Sequence, residues 1–221
     1  METVHTIVVG REAMGCRFEV IFNLLENSVA TSIGADALDI IEHIEDQLSV
    51  YRPTSEISRI NESLCSDWHD LSPEVYDLLW LAKKIHAQTN HAFDVTAGPL
   101  IKAWGFLQKK GRTPSPEKLA EAIACSGMKN IQFHEHEHKI RFDRPEVEIN
   151  LGAIGKGWAI DKAIDLIEME GVEDFLIHGG HSSVRSRGTR GLAEQKAENY
   201  GWPVGLRHPL FREKRIGTIT L

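Results

Sequence analysis

The sequence is poor in cysteine, in positive charge and in long apolar runs, and each shortage removes a class of function. Its three cysteines, Cys16, Cys65 and Cys125, are odd in number and widely spaced among 221 residues. That spacing holds no zinc-type pair and argues against a disulfide framework. Lys and Arg number 25 against 32 Asp and Glu, a formal net charge of −7. Nucleic acid or an anionic membrane calls for clustered cations, and only Arg185, Arg187 and Arg190 cluster, in what reads as a solvated loop. No apolar run approaches the ~18–20 residues that span a bilayer. Ala13-Met14-Gly15-Cys16 superficially matches a lipoprotein cleavage site. The segment before it lacks the ~7–15-residue apolar region of a secretory signal, so a cytoplasmic chain without an anchor is expected. There is no internal repeat and no low-complexity stretch.

What remains is ordinary globular material, 42% hydrophobic and 26% charged, enough for one large domain or two small ones. Thr6 to Val9 and Arg17 to Phe22 read as strands joined across Gly10–Gly15. Apolar residues at Ile33, Ala37, Ile40, Ile41, Ile44 and Leu48 form the stripe of a helix over Thr31 to Leu48. Ser55 caps a short helix to about Asn61, and Ser72-Pro73 a longer one carrying Val75, Leu78, Leu79, Ala82 and Ile85. Ser115-Pro116 opens another, with Leu119, Ala122 and Ile123. Ile131–Phe133, Lys139–Phe142, Val147–Leu151, Phe175–Ile177 and Arg215–Leu221 read as strands, and Lys156–Met169 as a helix on which Asp161 faces solvent or a neighbouring lysine. Helices and strands mix without strict alternation, which predicts an α+β fold.

The segment Glu148 to Ala163 carries the most chemistry. It reads as a buried strand, a glycine turn (Gly152, Gly155, Gly157) and the opening of an amphipathic helix. Glycines let a ligand approach the backbone, and the helix start offers N–H groups and partial positive charge. With Lys156 beside it, the turn suits a phosphate, although many strand–helix connections need glycine for sterics alone. Two other clusters draw attention. His134-Glu135-His136-Glu137-His138 could hold a metal adventitiously, but reads better as an exposed hairpin tip. Gly179-Gly180-His181-Ser182-Ser183 offers His and Ser without a placed carboxylate, and reads as a polar glycine turn rather than a hydrolase triad.

Taken in order, Met14-Gly15-Cys16-Arg17-Phe18-Glu19-Val20, Leu48 to Asn61, Ala92-Phe93-Asp94-Val95-Thr96-Ala97-Gly98-Pro99-Leu100, Trp104-Gly105-Phe106, the Asn150–Asp161 turn and Gly179-Gly180 form a set. This succession resembles the FAD:protein FMN transferases, the ApbE family, from about Met14 onward. The resemblance implies an α+β fold with mixed or antiparallel sheets and flanking helices. It implies that FAD is bound and, with Mg²⁺, that its FMN half passes to a Thr or Ser hydroxyl of a partner flavoprotein, releasing AMP. It would place Met14 and Tyr51 at the flavin, Ala92, Phe93 and Asp94 along the FAD, Asn150 at the opening of the turn beside it, Lys156 on it, and Ala153 as a Mg²⁺ ligand through an oxygen. Read on their own, Met14 is core filler, Tyr51 a helix-end packing residue and Asp94 a cap for the turn before Gly98-Pro99. A carboxylate between Phe93 and Val95 needs a partner in any case.

Departures from the pattern are Asn150 where the family has Asp, and Cys16 where it has Thr. The resemblance further implies a single domain over 1–221 that is incomplete at its C-terminus. The absent part would carry a His segment next to the scissile phosphate, and the Asp and Thr or Ser that hold Mg²⁺. Arg215–Leu221 would then end on an unpaired edge, a route to dimerisation. Two readings follow, an FMN transferase or a catalytically inactive FAD-binding remnant of that family.

Overall fold

A computed structural model describes residues 6–23, 29–63, 67–108, 110–180, 182–191, 201–211 and 213–221. The chain divides into two compact units, Met1–Ile44 with Lys156–Leu221, and Glu45–Gly155. Every strand pairing among the described residues is antiparallel, so the fold is α+β.

The first unit is built on a sheet in the order β1 (Thr6–Ala13), β2 (Cys16–Asn23), β6 (Phe175–Gly179), β7 (Ser183–Arg187). The first two strands are longer than the sequence suggests. Ala13 pairs with Cys16, so the turn is Met14-Gly15 alone rather than Gly10–Gly15. Both turn residues have positive φ, 49° and 71°, as a type I′ hairpin turn requires. Helix α1 (Ala30–Leu48) lies close over the sheet, because a Cβ on Gly34 would come within 2.9 Å of Val9 and 3.0 Å of Phe22. Its buried stripe runs Ile33, Ala37, Leu38, Ile41, Ile44 and Leu48, with Leu38 in place of the expected Ile40. Helix α6 (Gly155–Met169) buries Ala159, Ile160, Ala163, Ile164 and Ile167.

Two arginines of the expected solvated cluster are instead paired to α6. Arg185 binds Asp161 at 2.5 Å and Arg187 binds Glu168 at 3.1 Å, which also replaces the lysine expected beside Asp161. Strand β9 (Arg215–Thr220) pairs with β8 (Pro203–Arg207), a partner the sequence pattern did not reveal. Its edge toward β8 is therefore not open.

The second unit holds α2 (Glu56–Asn61), α3 (Pro73–Gln88), α4 (Gly98–Ala103) and α5 (Pro116–Cys125). Its sheet has the order β3 (His69–Asp70), β5 (Lys139–Phe142), β4 (Ile131–Phe133). Ser55 caps α2 by accepting the Ser58 N–H at 2.9 Å. Ser72 does not cap α3. Its N–H and hydroxyl both donate to Glu56, at 2.7 and 2.8 Å, which draws the serine away from the helix start. On α5 the buried positions are Ala122 and Cys125, while Ile123, which the sequence groups with Ala122, stands 57% exposed. His134 to His138 form the tip between β4 and β5, with residues 135–138 exposed, His134 edge-on to Trp68 and His138 against Tyr76.

The expected strand Val147–Leu151 is absent as a ladder. Val147, Ile149 and Leu151 are buried in alternation, yet no strand among the described residues pairs with them. Alternation reports burial on one side of an extended chain. It does not report who takes the hydrogen bonds.

Candidate functional site

Tyr51, Ala92, Phe93, Asp94, Asn150 and Ala153 fall in the second unit, Met14 and Lys156 in the first. Tyr51 follows α1 on a turn held by serines. Its N–H donates to Ser49 Oγ at 3.2 Å, while the Ser49 carbonyl accepts from Ser55 Oγ at 2.5 Å and Ser58 Oγ at 3.0 Å. Arg52 braces the same turn through Glu45 at 2.9 Å and through Asp46. The result is a rigid backbone that leaves the tyrosine ring 70% exposed. A packing role at the helix end does not require that exposure.

Asp94 is a structural hub. Its Oδ1 accepts from the Thr96 N–H at 2.8 Å and the Thr96 hydroxyl at 2.6 Å, and Oδ2 accepts from the Met128 N–H at 3.2 Å. The Thr96 hydroxyl accepts in turn from the Gly127 N–H at 2.5 Å, and His86 Nδ1 lies 3.5 Å from Oδ2. An ionised carboxylate offers about four lone-pair sites, so the protein occupies most of them. Ala92 and Phe93 sit on a backbone turned by Asn90 and His91, both at positive φ, 50° and 66°. The Phe93 N–H donates to Thr89 Oγ1 at 3.1 Å, and its carbonyl meets His86 Nδ1 at 2.7 Å.

The structure brings the Asp94–Gly98 loop against the segment leading into the glycine turn. The Asn150 N–H donates to the Val95 carbonyl at 2.7 Å, and the Gly98 N–H to the Glu148 carbonyl at 3.3 Å. Asn150 Oδ1 accepts from the Gly152 N–H at 3.0 Å, and the Leu151 carbonyl from Ile154 and Gly155 at 3.0 and 2.7 Å. Asn150 therefore shapes the turn from inside. Asn supplies the one acceptor this needs, as Asp does.

Lys156 is the second residue of α6 and is half-buried, with no ion-pair partner among the described residues. The first turn of a helix leaves N–H groups without intrahelical acceptors, so an anion is favoured there. Met14 is half-buried, and its positive φ of 49° is what the Met14-Gly15 hairpin turn requires.

Ala153, exposed in the turn, can offer a metal only its carbonyl oxygen. Among the described residues no group of three or more His, Cys, Asp or Glu converges. Mg²⁺ takes one or two carboxylates together with phosphate oxygens, so the Ala153 carbonyl by itself does not fit it. His181 lies outside the described residues, as does Cys65. No helix among the described residues is long and apolar enough to cross a membrane.

The ApbE family model matches residues 14–221. This chain belongs to the ApbE family. It is similar to the FAD:protein FMN transferase of Vibrio cholerae serotype O1, at 26% identity over 182 residues, covering 81% of this chain and 52% of that protein. The Escherichia coli K12 protein of the same name is 27% identical over 199 residues, 88% of this chain and 52% of the relative. This chain thus spans about half the length of the curated relatives it matches. Among solved structures, the ApbE protein of Thermotoga maritima superposes with a TM-score of 0.84 at 25% identity, over 98% of this chain and 68% of that one. The flavin transferase ApbE of Vibrio cholerae gives 0.81 at 24%, over 94% and 65%, which speaks for the fold alone.

Proposed function

We propose that this ApbE-family chain binds FAD and serves the transfer of its FMN half to a Thr or Ser hydroxyl of a partner flavoprotein, with release of AMP. The observation that carries the reading is the glycine turn 150–155, shaped by Asn150 and running into α6, with Lys156 in the first helical turn. Backbone N–H groups and one ammonium suit a pyrophosphate. Curated relatives named FAD:protein FMN transferase support the substrate.

In the reaction, the acceptor hydroxyl oxygen bonds to the FMN phosphorus and loses its proton. The bond from that phosphorus to the AMP oxygen breaks, and AMP leaves with the bonding pair. Such transfer depends on positioning and charge neutralisation more than on covalent participation. Lys156 and the helix start would offset charge on the pyrophosphate, Tyr51 would border the flavin, and the Ala92–Asp94 backbone would border the rest of the dinucleotide. Mg²⁺ enters the proposal as a requirement of the reaction. The Ala153 carbonyl would be one ligand, and one or two carboxylates would have to complete the set.

The test is incubation with FAD, Mg²⁺ and a flavoprotein carrying an acceptor Thr, read by AMP release and by flavin fluorescence that stays with the denatured acceptor. Flavin fixed to the acceptor with equimolar AMP is the expected result. AMP with free FMN and no labelled acceptor would replace transfer by hydrolysis, and neither product would sink the proposal.

A further inference from the structure

An extended segment buried on one side and without a neighbouring strand must still satisfy its backbone groups. For Ile149 the partner is a side chain. Its N–H donates to Asn61 Oδ1 at 2.8 Å, and its carbonyl accepts from Asn61 Nδ2 at 2.9 Å. One carboxamide thus does what a paired strand would do, reaching across 88 residues of sequence. Its two neighbours are pinned from the other motif, Asn150 by the Val95 carbonyl and Glu148 by the Gly98 N–H. Gly98 permits that approach because a Cβ there would stand 2.6 Å from the Glu148 Cβ and 2.7 Å from its carbonyl oxygen.

We propose that Asn61 is a positioning residue: its amide clamps Ile149 and so sets where the Asn150–Gly155 turn presents its N–H groups to the pyrophosphate of FAD. The inference rests on the functional reading above. Asparagine suits the task because a donor and an acceptor are needed side by side. A carboxylate lacks the donor and an aliphatic side chain lacks both. The clamp also stands on a firm base, since Asn61 closes α2, whose Ile57 and Ile60 are buried and whose start is capped by the buried Ser55. Sites held from regular elements keep tighter geometry than sites on free loops. The arrangement explains why the Leu48–Asn61 and Ala92–Leu100 motifs accompany the glycine turn: the first holds Ile149, and the second its neighbours Glu148 and Asn150.

The test compares the full chain with Asn61→Ala, Asn61→Gln, Gly98→Ala and a control, Ile140→Val, which trims a fully buried side chain of β5. Each is read by thermal melting, amide hydrogen exchange and FAD titration. Asn61→Ala and Gly98→Ala are expected to speed exchange over residues 149–155 and raise the FAD Kd about tenfold or more. Asn61→Gln, which keeps the amide on a longer arm, should recover part of both. Ile140→Val should lower Tm and leave Kd alone. Unchanged exchange in Asn61→Ala overturns the clamp. Faster exchange with unchanged Kd overturns its role in binding, and an equal loss of affinity in Ile140→Val reduces Asn61 to general stability and overturns it too. A wild-type chain that takes no FAD overturns the functional reading instead, and the exchange data then judge the clamp alone.

Discussion

Asp94 is where a fold role and a ligand role can be separated by one substitution. In Asp94→Asn the side chain keeps its shape but has one acceptor oxygen. If that oxygen stays with the two Thr96 donors, the new NH₂ faces the Met128 N–H, donor against donor. If it flips, two donors at Thr96 are lost instead. The Asp94 side chain is only 21% exposed, so water replaces these bonds poorly. Hydrogen bonds to a charged group are worth about 1.5–3 kcal/mol each, and the less costly orientation forfeits one and weakens two. A destabilisation of about 2–3 kcal/mol follows, which for a chain of this size lowers Tm by roughly 4–12 °C. The assay is thermal melting by circular dichroism without FAD, followed by FAD titration. Thr96→Val should show strong non-additivity with it, because the Thr96 hydroxyl links Asp94 to Gly127. If the ligand-free Tm moved by less than about 1 °C while FAD affinity collapsed, Asp94 would be a ligand contact and the hub reasoning would be refuted.

Ser55→Ala removes a helix cap and a bond to the Ser49 carbonyl at a fully buried position. It should cost about 2 kcal/mol by urea unfolding and also weaken FAD binding through the Tyr51 turn; a loss below about 0.5 kcal/mol would contradict the cap geometry. Tyr51→Ala should do the reverse, weakening FAD binding in a fluorescence titration while Tm stays put, because the ring is 70% exposed; a large drop in Tm would mean the ring packs after all. Glu19 is held below the ordinary carboxylate range, first by its bond from Arg17 and then, against burial, by the charge of His178. A carboxylate with a depressed folded pKa stabilises above its unfolded pKa and loses that contribution as pH falls through the folded value. Melting curves from about pH 6 to about pH 2 should therefore fall less steeply for Glu19→Gln; parallel curves would show that the network does not contribute.

Much of the helical frame was readable because its signals are local. The stripe of α1, the Ser55 cap and the proline-opened starts of α3 and α5 each lie within a few residues of what they determine. The strands that escaped notice have weak patterns for physical reasons. β7 is an edge strand of Ser and Arg that pairs outward to α6, and β8 opens on Pro203 with mostly exposed residues. Val147–Leu151 misled because alternation encodes burial, while the bonds go to Asn61, Val95 and Gly98, far off in sequence. At the site, the need of Asp94 for partners was legible from its apolar neighbours. Thr96 stood two residues away in plain view, whereas Met128 could be found only from the fold. The serines behind Tyr51 showed one of their two roles, since a cap has a sequence signature and a bond to the Ser49 carbonyl has none.

The most direct test is calorimetric titration of FAD into the 221-residue chain, with and without Mg²⁺, alongside Lys156→Ala. Saturable binding near one FAD per chain, weakened about tenfold or more by Lys156→Ala, is the predicted result. No heat of binding from the wild-type chain, or affinity indifferent to Lys156, would contradict the claim that this turn holds the dinucleotide.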